Sequence, residues 1–275
     1  MLHYNYYPSK KDTSQLLVML HGFISDSSTF DAHVTQLTAE VHVVTVHLPG
    51  HGDDTSPMSE VWSFDMITQG LNDVLAQFQD KQLYLHGYSM GGRVALYYAL
   101  HGEATLAGLI LESASPGIAD AADCETRVQV DQARARVLTL GGIALFVNDW
   151  EKLPLFMSQQ RLPAATRQRI REMRLRQNPE RLAKALTDYG TGAMPNLWPL
   201  LPSLKTRTCL IVGAYDEPFC RIATRMLDEI PNATMHTVED AGHTVHVENE
   251  VKFDKIVLGF LIEEDNHGDE NMGNN

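Results

Sequence analysis

A serine flanked by glycines stands between a predicted strand and a predicted helix. Residues 87–93 read GYSMGGR; an apolar run, 83–85, precedes them and a helix-forming run, 94–100, follows. A turn this tight leaves no room for a Cβ two residues before and two residues after Ser89, which explains the glycines. The turn projects the Ser89 hydroxyl from the strand end and leaves the Met90 amide free at the helix N-terminus. The pattern predicts a reactive serine beside an amide that can bind an oxyanion.

An acid and a histidine follow two later strands and could activate this serine. Asp216 comes after the apolar run 208–214, and His243 follows a glycine shortly after the predicted strand 234–238. Alone, such an aspartate is commonly a helix cap and such a histidine a surface residue. Together, the order Ser, Asp, His at strand ends predicts a catalytic triad. His243 would accept the Ser89 proton, and Asp216 would orient the imidazole.

The loop after an early strand is predicted to supply a second oxyanion amide. The apolar run 16–20 is followed by His21, Gly22 and Phe23. In a site of this kind two backbone N–H groups stabilise the developing negative charge, one after the serine and one from such a loop. The N–H groups of Phe23 and Met90 are therefore the candidates. We interpret His21 as a residue that organises the loop, and not as an acid or base.

The predicted strands and helices that must position these residues alternate along the chain. Of the 275 residues, 44% are hydrophobic, which suits one large domain or a core with an insert. Strands that alternate with helices predict a mostly parallel sheet covered on both faces. The predicted strands are 16–20, 41–46, 83–85, 106–113, 208–214 and 234–238.

A helical insert, residues 116–200, interrupts this alternation before the strand that leads to Asp216. Its predicted helices are 131–140, 163–177 and 179–189, with glycine-containing breaks at 141–142 and 190–195. We therefore predict an α/β-hydrolase fold, with a central sheet flanked by helices and a helical cap over the serine. The predicted division is a core of residues 1–115 and 201–264, a cap of 116–200 and a disordered acidic tail of 265–275.

Charge is distributed unevenly along the chain. The net charge of −13 argues against a nucleic-acid partner, whereas residues 121–200 carry twelve Lys or Arg against eight Asp or Glu, a net charge of +4. A basic cap over a reactive serine predicts a small anionic substrate. Most of these arginines are interpreted as a solvated helix face. Arg174, on an apolar helix stripe, is unfavourable there unless it meets an anion. Arg93, in the first turn of a helix, opposes the helix dipole, so either a bound carboxylate offsets its charge or its long side chain reaches solvent.

Cysteine and histidine spacing predicts neither a redox site nor a metal site. The chain has an odd number of cysteines, Cys124, Cys209 and Cys220. An odd number without a secretion signal predicts a reducing cytoplasm. His243 and His246 are close, but no third ligand follows at a regular spacing. No apolar run reaches the length of a membrane span, so no membrane partner is expected. The sequence leaves the oligomeric state open between a monomer and a weak dimer.

Segments across the chain resemble the menaquinone-pathway synthases of the α/β-hydrolase superfamily. The matching motifs are the serine turn with Arg93, SASPG at 113–117, residues 127–131, NDW at 148–150, LAKAL at 182–186, GTG at 190–192 and Trp198. Those enzymes form 2-succinyl-6-hydroxy-2,4-cyclohexadiene-1-carboxylate by eliminating pyruvate from an enolpyruvyl precursor, and they need no cofactor. The resemblance therefore implies a carbon–oxygen lyase of menaquinone (vitamin K2) biosynthesis.

The resemblance also implies a role for each matching residue. The triad matches at Ser89, Asp216 and His243, and the oxyanion amides match at Phe23 and Met90. The substrate-binding residues of the family match at Arg93, Arg127, Arg174, Tyr88 and Trp150, the three arginines holding substrate carboxylates. In that mechanism Ser89 is a general base activated by His243, and no acyl-enzyme forms.

The sequence leaves two other functional classes open. A cytoplasmic serine carboxylesterase, or a carbon–carbon bond hydrolase, acting on an anionic substrate would use the same triad. Only the arginines above the triad favour the lyase. A non-catalytic binding protein of this fold is the third class, and the intact Ser–Asp–His set argues against it.

Overall fold

Seven strands form one sheet in the computed structural model, which describes residues 2–262. The strand order is β1-β3-β2-β4-β5-β6-β7; β1 pairs antiparallel with β3, and the other neighbours pair in parallel. The parallel arrangement confirms the predicted sheet, while β1 is a strand that the sequence analysis missed. The strands are β1 Tyr4–Tyr7, β2 Gln15–Leu20, β3 His42–Val46, β4 Gln82–Tyr88, β5 Gly108–Glu112, β6 Thr208–Gly213 and β7 Ala233–Val238.

Nine α-helices lie within the described residues, three of them between β5 and β6. They are α1 Asp31–Leu37, α2 Phe64–Leu75, α3 Met90–His101, α4 Ala121–Trp150, α5 Ala164–Leu175, α6 Pro179–Tyr189, α7 Glu217–Glu229, α8 Val245–Glu248 and α9 Glu250–Ile262. A 3-10 helix, Pro154–Arg161, stands between α4 and α5. Within residues 2–262, no helix combines the length and apolar character needed to cross a membrane.

The two faces of the sheet carry separate apolar cores because side chains alternate along each strand. In β2, Leu16, Val18 and Leu20 belong to one buried cluster, whereas Leu17 and Met19 belong to the other. The first cluster includes residues of α2, α3 and α7, and the second includes residues of α1 and α9. Helices therefore cover both faces, as the sequence predicts.

The insert differs from its prediction in its first helix. We expected a helix over 131–140 that ends at Gly141–Gly142, but helical structure in α4 Ala121–Trp150 begins well before residue 131. The predicted break is present, because Gly142 has a non-helical φ of 76° and ψ of 175°, and a second helical segment follows it directly. Gly142 has no Cβ, so it adopts this conformation without strain. The helix α6 has its predicted bounds.

The insert has an apolar core of its own that reaches the loop after β2. Leu138 and Phe146 of α4 pack with Leu182 and Leu186 of α6, and Ile24 of the core loop joins the same cluster. This contact places the insert beside Phe23, the predicted oxyanion residue. The division into core 1–115 and 201–264 and cap 116–200 stays a prediction, and the predicted tail 265–275 lies outside the described residues.

Candidate active site

Ser89 occupies a strained turn between β4 and α3. Its φ is 52°, in the left-handed region that non-glycine residues rarely adopt. A Cβ at Gly87 would overlap the Gly91 carbonyl oxygen, and one at Gly91 would overlap the Leu20 carbonyl oxygen. The two glycines that flank Ser89 are therefore sterically required, and the predicted turn is present.

The three predicted triad residues meet at the carboxyl end of the sheet. His243 Nε2 lies 2.9 Å from Ser89 Oγ, and His243 Nδ1 lies 2.6 Å from Asp216 Oδ2. His243 and Asp216 are almost completely buried. The chain brings them together because β4, β6 and β7 are parallel, so the loops that follow them emerge at one edge.

Two carboxylates that the sequence analysis missed fix the backbone around His243. Glu248 accepts hydrogen bonds from the N–H groups of Gly242 (2.8 Å) and Thr244 (3.1 Å), the two neighbours of His243. Buried Glu112 accepts hydrogen bonds from the backbone N–H (3.0 Å) and the Nδ1–H (2.9 Å) of His246. Glu248 follows His243 by five residues and is visible in the sequence, but Glu112 reaches this loop only through the tertiary fold.

The candidate oxyanion amides lie on either side of Ser89. Met90 opens α3, where the first N–H groups of a helix have no partner within the helix. Phe23 follows β2, and Leu20 of β2 pairs with Gly87 of β4, so both loops leave the sheet at the same level. Both residues line the cavity that contains Ser89. This placement supports their assignment, which stays a prediction.

His21 organises the loop before Phe23, as the sequence analysis proposes. Its Nδ1–H donates to the Gly22 carbonyl (2.8 Å), and its Nε2 accepts from the Leu48 N–H (3.1 Å). Burial lowers the pKa of His21 to about 4, so the ring is neutral at physiological pH. Both ring nitrogens of His21 are hydrogen-bonded to backbone groups, which confirms that His21 organises this loop.

A cavity of about 340 Å³ opens above Ser89 and His243. Its wall includes Phe23, Met90 and Phe219 from the core and two of the predicted arginines, Arg93 and Arg127. The remaining predicted site residues are not on this wall. Tyr88, Trp150 and Arg174 line a small neighbouring cavity of about 30 Å³, which Phe23 also borders.

Part of the cavity wall is cationic. Arg93, Arg127 and Arg134 all line the cavity. Asp131 accepts a hydrogen bond from Arg127 Nε (2.9 Å) and lies 3.8 Å from Arg134 Nη1, so these four side chains carry a net charge of +2. Arg134 was not singled out from the sequence, although its spacing from 127 and 131 places all three on one helix face.

Arg93 is buried with part of its hydrogen-bonding capacity unused. Its Nη1 has no partner among residues 2–262, and only 8% of the residue is exposed. Burial, and after it the charge of Arg127, lowers the pKa of Arg93 to about 10, so the guanidinium stays charged at neutral pH. A buried cation with a free donor beside Ser89 is suited to an anionic ligand.

Arg174 meets an anion, but the protein supplies it. In the described structure its Nη1 lies 3.3 Å from Glu151 Oε1, and its Nη2 donates to Gln159 Oε1 at 3.1 Å. Its Cζ also lies 5.2 Å from the centre of the Phe156 ring. The apolar helix stripe around Arg174 indicates the need for an anion, but it does not identify Glu151, which lies 23 residues away. The predicted contact of Arg174 with a substrate carboxylate stays a prediction.

Tyr88 and Trp150 pack next to other predicted site residues. The Tyr88 hydroxyl lies 2.7 Å from Thr244 Oγ1, so the residue before Ser89 is tied to the residue after His243. The Trp150 ring stands edge-on to Phe23, with centroids 5.3 Å apart, and the Arg134 guanidinium lies 5.3 Å from its centre. Their predicted contact with substrate stays a prediction.

One group of side chains away from the triad has the composition of a metal site. Ligand atoms of His3, His47 and Asp53 lie within 4.8 Å of one another. Both His47 nitrogens are already engaged, because Nδ1 accepts from the Asp53 N–H (3.1 Å) and Nε2 lies 2.9 Å from Ser27 Oγ. We therefore derive no metal chemistry from this group.

Comparison with known proteins places this geometry in a family. Residues 17–254 match a family model described as the alpha/beta hydrolase family. A Bacillus subtilis (strain 168) protein, named provisionally as a 2-succinyl-6-hydroxy-2,4-cyclohexadiene-1-carboxylate synthase, is 35% identical over 91% of each chain. A Serratia proteamaculans (strain 568) protein with that name is 30% identical over 90% of this chain and 92% of its own.

Solved structures agree with the sequence relatives. The structure of MenH from S. aureus is 52% identical and has a TM-score of 0.95, covering 96% of this chain and 100% of its own. A thermophilic esterase from Thermogutta terrifontis, 24% identical with a TM-score of 0.80 over 95% of this chain and 93% of its own, shares the fold alone. The chain belongs to the α/β-hydrolase family, and within it to the family of the 2-succinyl-6-hydroxy-2,4-cyclohexadiene-1-carboxylate synthases.

Proposed function

We propose that this chain is a lyase of menaquinone biosynthesis. It eliminates pyruvate from 2-succinyl-5-enolpyruvyl-6-hydroxy-3-cyclohexene-1-carboxylate and forms 2-succinyl-6-hydroxy-2,4-cyclohexadiene-1-carboxylate. The observation that carries this proposal is the pairing of an aligned Ser89–His243–Asp216 triad with a cationic wall on one cavity. The names of the relatives at 30–35% identity support the same reaction.

The cationic wall selects the substrate class. The substrate bears several carboxylates, and planar guanidinium groups bind carboxylates through two parallel hydrogen bonds. Arg93 and Arg127 stand on the wall with Ser89, and Arg93 Nη1 has no protein partner in the described chain. A neutral ester would leave this charge unmatched, so the wall favours a polyanion over a simple ester.

The triad supplies the base. His243 Nε2 accepts the Ser89 proton while Asp216 holds Nδ1–H, and the Ser89 oxygen removes a proton from the substrate ring. The electron pair of the broken C–H bond is delocalised onto the succinyl ketone, whose oxygen is stabilised by the Phe23 and Met90 N–H groups. A ring double bond then forms as the C–O bond to the enolpyruvyl group breaks. The departing enolate takes up a proton at carbon and becomes pyruvate, and His243 releases the proton that it accepted from Ser89, so the triad returns to its starting state.

The proposed location of the enzyme is the cytoplasm. Cys124, Cys209 and Cys220 are all free thiols in the structure, which suits a reducing cytoplasm. The reaction as written requires neither a metal nor an organic cofactor, because the carbanion is delocalised onto the ketone of the substrate itself.

A coupled assay tests the proposed reaction. The substrate is generated in place from isochorismate and 2-oxoglutarate by the upstream thiamine diphosphate-dependent synthase, and this chain is then added. We expect pyruvate and the diene absorbance to appear together, in equal amounts and in proportion to the amount of chain added. Substrate that stays intact would contradict the lyase proposal. Loss of succinate by cleavage of a carbon–carbon bond would support the hydrolase alternative instead.

Replacing Arg93 with lysine tests the cationic wall. Lysine keeps the charge but loses the planar two-point contact, so we expect kcat/KM for elimination to fall by roughly ten- to a thousand-fold. Arg136→Lys is the matched control, because Arg136 is an exposed arginine of the same insert. If the Arg93 variant lost no more than two-fold, like the control, Arg93 would not be a substrate contact.

A further inference from the structure

The 3-10 helix Pro154–Arg161 lies directly on the catalytic histidine and its two neighbours. The Phe156 ring stands edge-on to the His243 ring, with centroids 5.9 Å apart. A Cβ at Gly242 would overlap Ser158 Oγ, so the Ser158 side chain packs directly against the Gly242 backbone. Gln159 Nε2 donates to Thr244 Oγ1 at 3.0 Å. Three residues of the insert thus contact three consecutive residues around the base.

Gln159 is the polar anchor of this contact. It is 6% exposed, and both ends of its amide are in use: Nε2–H donates to Thr244, and Oε1 accepts from Arg174 Nη2 at 3.1 Å. A buried amide with both ends satisfied is held in one orientation, because the reversed amide would place its NH2 group against the guanidinium. The position of Gln159 therefore fixes the position of the Thr244 hydroxyl.

The chain of hydrogen bonds continues to the serine side of the site. Thr244 Oγ1 also contacts the Tyr88 hydroxyl, at 2.7 Å, and Tyr88 immediately precedes Ser89. Thr244 is 6% exposed and immediately follows His243. Its hydroxyl is thus a junction between the base, the serine and the insert.

We propose that Gln159 is a positioning residue for the Ser89–His243 pair, acting through the Thr244 hydroxyl. In the described structure Gln159 does not line the cavity above Ser89; it borders the small neighbouring cavity with Tyr88, Trp150 and Arg174. Its effect on Ser89 is therefore measured with a reagent that reacts at Ser89 itself, separately from the KM for substrate. The proposal rests on the triad being the reactive centre, as in the proposed function, but it concerns the activation of Ser89 and not the identity of the substrate.

The rate of labelling by an alkyl fluorophosphonate measures this activation directly. In this reaction Ser89 Oγ forms a bond to phosphorus, fluoride leaves, and the serine proton passes to His243. We expect Gln159→Leu to lower the second-order labelling rate by about ten-fold, on the scale of a lost buried hydrogen bond. The kcat for elimination should fall by a similar factor while KM changes by less than about two-fold. The matched control is Gln160→Leu, whose side chain is exposed and contacts Arg167.

Substitutions of Thr244 separate positioning from a general loss of structure. Thr244→Val removes the hydroxyl at nearly constant volume and should reproduce the effect of Gln159→Leu, whereas Thr244→Ser keeps the hydroxyl and should restore most of the rate. The Gln159→Leu/Thr244→Val double variant should be no slower than the slower single variant, because both changes break one chain of contacts.

Three results would overturn the positioning role. They are a labelling rate for Gln159→Leu equal to that of Gln160→Leu, additive effects in the double variant, and a rise in KM with unchanged labelling, which would make Gln159 a support for substrate binding. A chain that labels as expected but releases no pyruvate would overturn the proposed function and leave this inference standing.

Discussion

Ser89→Ala is expected to reduce diene formation by at least about a thousand-fold. The Ser89 hydroxyl is the group that His243 Nε2 contacts, at 2.9 Å, and alanine leaves the base without the oxygen that reaches the substrate. Initial rates of diene absorbance and pyruvate release, measured with equal amounts of the two proteins, give the loss. The left-handed φ of 52° at Ser89 is retained by neighbouring contacts, so the fold should survive the change.

Two controls make the Ser89→Ala result interpretable. The thermal midpoint and the affinity for a dicarboxylate analogue should stay close to those of the unsubstituted chain, because Arg93 and Arg127 are untouched. A variant that bound the analogue normally and still formed the diene within ten-fold of the original rate would show that another group is the base.

Asp216→Asn is expected to lower kcat by about 10³- to 10⁴-fold, the scale of the corresponding change in serine proteases. Asp216 Oδ2 accepts the Nδ1–H of His243 at 2.6 Å and so leaves Nε2 free to accept the Ser89 proton. An asparagine NH2 group in that place favours the other tautomer, in which Nε2 carries the hydrogen and cannot act as a base.

Asp240→Asn is the matched control for Asp216→Asn. It removes the same charge from an exposed aspartate that accepts from the Tyr215 hydroxyl, and it should change kcat by less than about two-fold. If Asp216→Asn kept more than a tenth of the original kcat, the orientation of His243 would not depend on Asp216.

Sequence alone predicted the part of the site whose signals are local. The glycines around Ser89 are needed for a turn of a few residues, and Asp216 and His243 follow strands whose apolar runs are short and clear. Parallel strands bring their following loops to one edge, so the order of the three residues was enough to predict their meeting. The same local reasoning gave the exact bounds of α6, where Asn178 accepts from the first N–H groups of the helix.

The rest depends on contacts between distant segments. Glu151 pairs with Arg174 only after α4 and α5 pack. The sequence of the 3-10 helix that carries Gln159 has no strong apolar period from which a helix could be predicted. The strand β1 spans only Tyr4–Tyr7 and is stabilised by antiparallel pairing with β3, which its own sequence does not reveal. The glycines at 141–142 predict the break in the first helix of the insert, but they do not predict that a second helical segment follows Gly142 directly.

Mass spectrometry of the chain quenched during turnover tests the central claim most directly. The claim is that Ser89 acts as a base in an elimination, and a base carries no covalent bond to the substrate in any step. Samples taken in the millisecond to second range, while pyruvate is accumulating, should show the unmodified mass and an unmodified Ser89 peptide. A substrate-derived adduct on Ser89 that forms and decays at the rate of turnover would contradict the account and identify Ser89 as a nucleophile.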